Sequence, residues 1–292
     1  MHHSSSKVWL VTGTSSGFGK HFVLSALARG DRVIAAARSL KKLEAFTSTL
    51  DIKDMERLRP LQLDLTDGKE EIERKIGNAF TFWNRIDVLV NNAGNFTGGM
   101  MEEGGSKLLR QQFDTNVFGT LDVTTATLPY LRQSKDACVI TIGSRSAWKA
   151  ELPGLGFYAA SKAAIRAITE SFMSELAQFN IRVLLVEPGS FKTEGIQNQL
   201  FSNENLIPIY DGLRQATKAR LQSVGPGGLE SGDPHKAVEA IIDVVTDEGA
   251  AQGREWPGYL ILGNDADRDV RQKCEKVLST LDSWTDVAKA VY

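Results

Sequence analysis

The sequence predicts an α/β protein: a doubly wound parallel sheet of about seven strands, helices on both faces, in a single domain. Three observations predict it. Short apolar runs alternate with helix-like patterns along most of the 292 residues, the rhythm of a parallel sheet covered on both sides. The runs at 88–90 (Val-Leu-Val), 139–142 (Val-Ile-Thr-Ile) and 181–186 (Ile-Arg-Val-Leu-Leu-Val) are almost continuously apolar, as strands buried on both faces are. The run that opens the chain, 7–12, leads straight into a glycine-rich loop and then a helix pattern.

Residues 1–6 (Met-His-His-Ser-Ser-Ser) are expected to form a flexible tail; they lack the apolar h-region of a signal peptide. Lys7–Thr12 reads as the first strand. The loop Thr12-Gly13-Thr14-Ser15-Ser16-Gly17-Phe18-Gly19 follows, then a helix pattern over His21–Arg29 with Gly30 as its stop. Strand, glycine turn and helix together form a phosphate cradle: missing side chains let the backbone approach a pyrophosphate, and the helix N-terminus favours its charge. This setting makes the sheet Rossmann-type. Gly13, Ser15, Ser16, Gly17, Phe18 and Gly19 are therefore candidate cofactor contacts.

The second strand is expected at Arg32–Ala37. A fold that selects NAD usually ends this strand with an acid that binds the ribose 2′-hydroxyl. Here the strand ends in Ala37, and Arg38 follows. An arginine favours a 2′-phosphate, so the expected cofactor is NADP(H).

A long helix is expected over 105–133, carrying Asn116, with Gly119 allowing close approach to a neighbour. The strand ending at Gly143 places Ser144 at its tip. Tyr158 and Lys162 stand four apart, on one face of the next helix. A free phenol has a pKa of about 10; a neighbouring ammonium is expected to lower it toward values useful for proton transfer. Ser144 would hold a substrate oxygen. Residues 194–231, with Leu200, Phe201, Leu206, Ile207, Ile209 and Tyr210, are too apolar for a plain linker. They read as a lid over an apolar pocket, with a small satellite core or a subunit contact as the alternative. Asp233-Pro234 opens a helix as N-cap and first residue, and Tyr259–Leu262 is the last strand. Trp256, Tyr259 and Trp284 are expected to pack the C-terminal part rather than line the pocket.

Composition excludes other classes. Net charge is −2, without the basic excess of a nucleic-acid binder. No apolar run reaches the roughly eighteen residues of a membrane span. Cys138 and Cys274 make no disulfide framework, and a reducing cytoplasm is the expected location. No Cys/His cluster has zinc-ligand spacing, so no metal is expected.

The motifs Thr12-Gly-x-x-x-Gly-x-Gly19, Asp64, Asn91-Asn92-Ala93-Gly94, Asn116, Ser144, Tyr158-x-x-x-Lys162 and Pro188-Gly189 occur in one chain in that order. In this the sequence resembles the short-chain dehydrogenase/reductase family, in its single-domain branch, strongly over about residues 7–195. It is most similar to members resembling hydroxysteroid and retinol dehydrogenases. The resemblance implies Tyr158 as general acid or base, and Lys162 as the group that holds the nicotinamide ribose. It implies Ser144 as the positioner of the substrate oxygen and Asn116 as the holder of a relay water. It further implies Asp64 at the adenine, Asn92, Ala93 and Gly94 along the adenosine ribose, and Pro188, Gly189, Phe191 and Thr193 beside the nicotinamide. A homodimer or homotetramer is implied in the same way. The serine usually precedes the tyrosine by thirteen residues; Ser144 precedes it by fourteen and Ser146 by twelve. Ser144 is preferred because it ends the strand, and Ser146 remains the rival.

The expected activity is carbonyl reduction or alcohol oxidation with NADP(H), on a lipophilic ketone, aldehyde or secondary alcohol. A non-catalytic NADP(H)-binding redox sensor on the same fold is the alternative.

Overall fold

The computed structural model describes residues 6–193, 200–223 and 231–292. Seven strands form one parallel sheet: β1 (Val8–Thr12), β2 (Arg32–Ala37), β3 (Leu58–Gln62), β4 (Val88–Asn91), β6 (Cys138–Ile142), β7 (Arg182–Pro188) and β9 (Tyr259–Leu262). Their spatial order is β3-β2-β1-β4-β6-β7-β9. The order reverses between β1 and β4, the switch point beside which ligands bind in open α/β sheets. Two-residue strands β5 (Thr97–Gly98) and β8 (Leu200–Phe201) pair separately.

The helices are α1 (Gly17–Ala28), α2 (Leu40–Thr47), α3 (Ile52–Glu56), α4 (Lys69–Phe80), α5 (Met101–Phe113), α6 (Thr120–Leu131) and α7 (Gly156–Leu176), then Asp211–Ser223, Pro234–Thr246, Asn264–Ser283 and Thr285–Lys289. Alternate strand residues face two cores. Trp9, Val11, Val33 and Ile140 meet Phe22 of α1 and Ile241 of Pro234–Thr246. Val8, Leu10, Leu89 and Val139 meet Ile72 of α4 and Val123 of α6.

Three expectations are corrected. Helix α1 begins at Gly17 rather than His21, because the left-handed Gly17 (φ 53°) turns the chain directly into it. The helix expected over 105–133 is not continuous. Gly105 breaks it with φ 50° and ψ −153°, and Asp114–Gly119 is a π-helical turn between α5 and α6, a distortion common at functional sites. A Cβ on Gly119 would lie 2.2 Å from the Leu65 carbonyl oxygen, which is the close approach expected of it. Trp284 does not pack the C-terminal part; it is 61 % exposed. Trp256 does pack, donating to the Val183 carbonyl at 2.9 Å.

Asp233 caps Pro234–Thr246 by accepting from His235 N at 2.8 Å. Of the segment read as a lid, residues 194–199 and 224–230 lie outside the described residues. The remainder is fastened to α5. Glu103 is buried and pairs with buried Arg214 through both carboxylate oxygens, and it accepts from Ile207 N at 2.9 Å. The Phe201 ring lies against Gly98, where a Cβ would stand 2.7 Å from it.

Candidate functional site

The ends of β1, β4, β6 and β7 converge at one edge of the sheet, because parallel strands deliver all their C-terminal loops to the same side. The loop after β1 is shaped by close packing. A Cβ on Gly13 would fall 2.8 Å from Ala93 Cα, and one on Gly19 would fall 2.2 Å from the Gly13 carbonyl oxygen. Asn92 braces it from β4, donating to the carbonyls of Thr12 at 2.8 Å and Gly13 at 3.1 Å. Thr12 Oγ1 in turn accepts from the amides of Asn92 and Ala93, both at 3.0 Å. The Asn92 side chain thus holds the loop's shape from within.

Helix α1 leaves its N-terminus open: Ser16 makes no side-chain cap, and no acid stands in the first turn. Uncapped amides and a favourable dipole fit a phosphate. Thr193 approaches the same turn, its Cβ 3.5 Å from where Gly17 would carry one. Arg38 is exposed just past β2. These features fit a dinucleotide carrying an additional phosphate. Asp64 is half-buried and accepts from Thr66 N at 3.0 Å and Thr66 Oγ1 at 2.8 Å, so its carboxylate also orders its own turn.

Beyond β6 lie the reactive groups. Ser144 is buried and accepts from Ser146 N at 3.1 Å. Its hydroxyl stands near enough to the half-buried Tyr158 phenol to pull that group's pKa down. Ser144, buried at the tip of β6, is thus the serine that acts on the Tyr158 phenol. Lys162 is buried on α7 and donates to the Ile142 carbonyl at 2.7 Å. Its ammonium sits 5.7 Å from the Tyr158 ring centroid. Asn116, in the π-turn, donates to the Asn95 carbonyl and to Ser161 Oγ, both at 3.0 Å. It accepts from Asn95 N at 2.9 Å. A Cβ on Gly94 would come 3.2 Å from Asn116 Oδ1 and 3.7 Å from Lys162 Nζ. Only a glycine leaves that space open beside the lysine.

The electrostatics depart from expectation. Burial raises the Tyr158 pKa, and the Ser144 hydroxyl opposes it. The Lys162 ammonium, 5.7 Å from the ring centroid, is turned to the Ile142 carbonyl. Burial drives Lys162 itself down to about 8, against the pull of Glu187.

Glu187 was not anticipated as a site residue. It is fully buried on β7, and burial pushes its pKa up despite a hydrogen bond from Trp148 Nε1. Its Oε1 has no hydrogen-bond partner among the described residues. Phe96, packed edge-on to Tyr158 at 5.3 Å between centroids, was also missed. So was Ser161, the partner of Asn116, although it stands inside the Tyr-x-x-x-Lys motif. On the far side, Pro188 ends β7 and Gly189 admits Asp265, whose Oδ1 would lie 1.9 Å from a Cβ there. Phe191 is buried edge-on to Phe18 at 5.2 Å. The twelve-residue α1, the serine–tyrosine pair and the Pro188-Gly189 turn therefore border one edge.

Known proteins share this fold. The family model described as short chain dehydrogenase matches residues 7–204. An uncharacterized oxidoreductase of Bacillus subtilis, YusZ, is 38% identical over 244 residues, covering 82% of this chain and 85% of that protein. A short-chain dehydrogenase of Streptomyces avermitilis superposes with a TM-score of 0.84 at 33% identity, covering 99% of this chain and 100% of its own. A short chain dehydrogenase of Burkholderia cenocepacia, solved in complex with NADP, shares the fold at a TM-score of 0.70 and 24% identity, covering 95% of this chain and 97% of its own. With the family's fold and motif order both present, the chain belongs to the short-chain dehydrogenase/reductase family of oxidoreductases.

Proposed function

We propose that this chain is an NADP(H)-dependent carbonyl reductase or alcohol dehydrogenase acting on a lipophilic ketone, aldehyde or secondary alcohol. The observation that carries the reading is the meeting of buried Ser144 with the Tyr158 phenol, with buried Lys162 one helical turn away. When bound, the nicotinamide supplies or accepts the hydride. Tyr158 gives its proton to the carbonyl oxygen in reduction and takes it back in oxidation. Ser144 donates a hydrogen bond to that oxygen as charge develops, where a preorganised donor helps most. Lys162 would hold the nicotinamide ribose hydroxyls and the phenol's position. Asn116, tied to Asn95 and Ser161, keeps the π-turn in place for proton refill.

Gly13, Ser15, Ser16, Gly17, Phe18 and Gly19 would hold the pyrophosphate, and Arg38 the 2′-phosphate. Asp64, Ala93 and Gly94 would border the adenosine, and Asn92 would act by bracing the loop. Pro188, Gly189, Phe191 and Thr193 would border the nicotinamide. Residues 194–231 would cover the substrate, with Leu200–Ser223 as its anchored part. Among the described residues no helix is long and apolar enough to cross a membrane, and the proposed location is the cytoplasm. The preference for NADP(H) rests on Arg38 and the missing acid.

Oxidation of NADPH and NADH, followed at 340 nm against lipophilic ketones, aldehydes and quinones, tests the reading. Turnover with NADPH well above NADH is expected. Tight NADPH binding without turnover across the panel would favour a sensor.

A further inference from the structure

Glu187 turns toward α7. Along β7, Val183 lies in the core that Phe172 and Met173 of α7 help cover, and alternate residues of a strand share a face. Glu187, four residues on, therefore points to the same helix. Its Cγ would stand 3.1 Å from a Cβ on Gly143. That glycine separates Ile142, whose carbonyl receives Lys162 Nζ, from Ser144. The carboxylate thus reaches the tip of β6 beside the bond that holds the lysine.

Helix α7 presents Tyr158, Lys162, Arg166 and Glu170 at four-residue intervals, along one side. The outer two are engaged with other groups. Arg166 lies over the Trp148 ring, 4.2 Å from its centroid, and its Nε stands 3.6 Å from Glu170 Oε1. Among the described residues no cation hydrogen-bonds Glu187; its one donor is the neutral Trp148 Nε1. A buried carboxylate so placed costs stability. A glutamine would accept the same indole N–H without that cost, so the fold alone does not account for the charge.

Lys162 does account for it. Burial pushes the lysine down, and Glu187 pulls it back. Burial pushes Glu187 up, and the Trp148 N–H, Arg166 and Lys162 pull it back, with Glu170 opposing them. Each of the two buried groups therefore favours the charged form of the other. The groups that face Glu187 are Lys162, Arg166 and Glu170 of α7, Trp148, and Tyr259 of β9.

We propose that Glu187 is a positioning residue, the buried counter-ion that keeps Lys162 protonated and its ammonium a donor. The charge relation stands on how β7 faces α7; its consequence for turnover rests on the function proposed above.

NMR titration of isotope-labelled lysine Cε in the full chain tests it, the Lys162 signal being the one lost in Lys162→Met. In Glu187→Gln, which keeps an acceptor for Trp148, the Lys162 midpoint is expected to fall from about 8 by about one pH unit. Glu170→Gln removes a carboxylate from the same side of α7 and is expected to leave the midpoint in place. The parent needs no substitution to fold. On acidification its Lys162 signal is expected to show a second inflection, above the 4.5 of an ordinary glutamate, as Glu187 takes up a proton. An unmoved midpoint in Glu187→Gln, an equal shift in Glu170→Gln, or a parent without the second inflection would overturn the proposal. Kinetics separates it from the catalytic reading. The high-pH limb of kcat with NADPH is expected to move down with the midpoint in Glu187→Gln. A shifted midpoint with no turnover in either protein would remove the catalytic reading and leave the counter-ion standing.

Discussion

Lys162 Nζ donates to the Ile142 carbonyl at 2.7 Å, two residues before Ser144. This bond fixes α7 to the tip of β6 and sets the spacing between the lysine and the serine–tyrosine pair. It also buries an ammonium, which has a measurable consequence for stability.

The Lys162 pKa falls from 10.5 to about 8. A base whose folded pKa is lowered penalises folding when protonated. The penalty is full below about 8 and fades as pH rises to 10.5. At 1.36 kcal/mol per unit it is roughly 3 kcal/mol. Lys162→Met removes it and gives up one hydrogen bond, about 1 kcal/mol. The variant is expected to unfold at a higher denaturant midpoint than the parent at pH 7, with the gap closing toward pH 10.5, and to lose turnover. A lower midpoint at pH 7 would contradict the buried, charged lysine.

Tyr158→Phe removes the proposed proton donor and leaves the cofactor cradle intact. Turnover is expected to fall by 10²- to 10⁴-fold or more, while NADPH binding, read by its fluorescence, stays within a few fold. Retained turnover would take the tyrosine out of the reaction.

Arg38→Asp replaces the proposed 2′-phosphate ligand with a repelling charge. The ratio of kcat/KM for NADPH over NADH is expected to fall by at least tenfold. An unchanged ratio would place cofactor selection elsewhere.

Glu103 ties the substrate-side segment to α5, and the Arg214 guanidinium holds its carboxyl below the ordinary 4.5. A depressed carboxyl contributes stability that is present above 4.5 and lost as pH falls below it. Glu103→Gln is expected to speed proteolytic cleavage within 200–223 at pH 7, and acidification of the parent below 4.5 to do the same. Cleavage rates equal to the parent's would show that Phe201 and β8 suffice as anchors.

Two glycines in helices should respond oppositely to alanine. Gly119→Ala drives a Cβ against the Leu65 carbonyl and is expected to destabilise by about 1–3 kcal/mol. Gly212→Ala meets nothing within 4 Å and is expected to stabilise by about 0.5–1 kcal/mol. Urea unfolding of both variants measures the contrast.

Sequence alone determined the parallel sheet, the glycine loop, the capped helix at Asp233 and the order of the site motifs. Each is written in local chemistry: apolar runs of strand length, residues free of a Cβ, a side chain that caps its own helix. Tertiary structure decided what depends on distant partners. It set Ser144 rather than Ser146 beside Tyr158, because one strand tip meets one helix face. It broke the helix expected over 105–133 at Gly105 and wound a π-turn around Asn116. It let burial raise the Tyr158 pKa, and it turned the lysine's ammonium to a carbonyl twenty residues away in sequence. It placed Glu187 in the interior, where its letter among the residues of β7 carries no sign of desolvation. And it left Trp284 in solvent, because packing depends on what lies opposite, which no local pattern states.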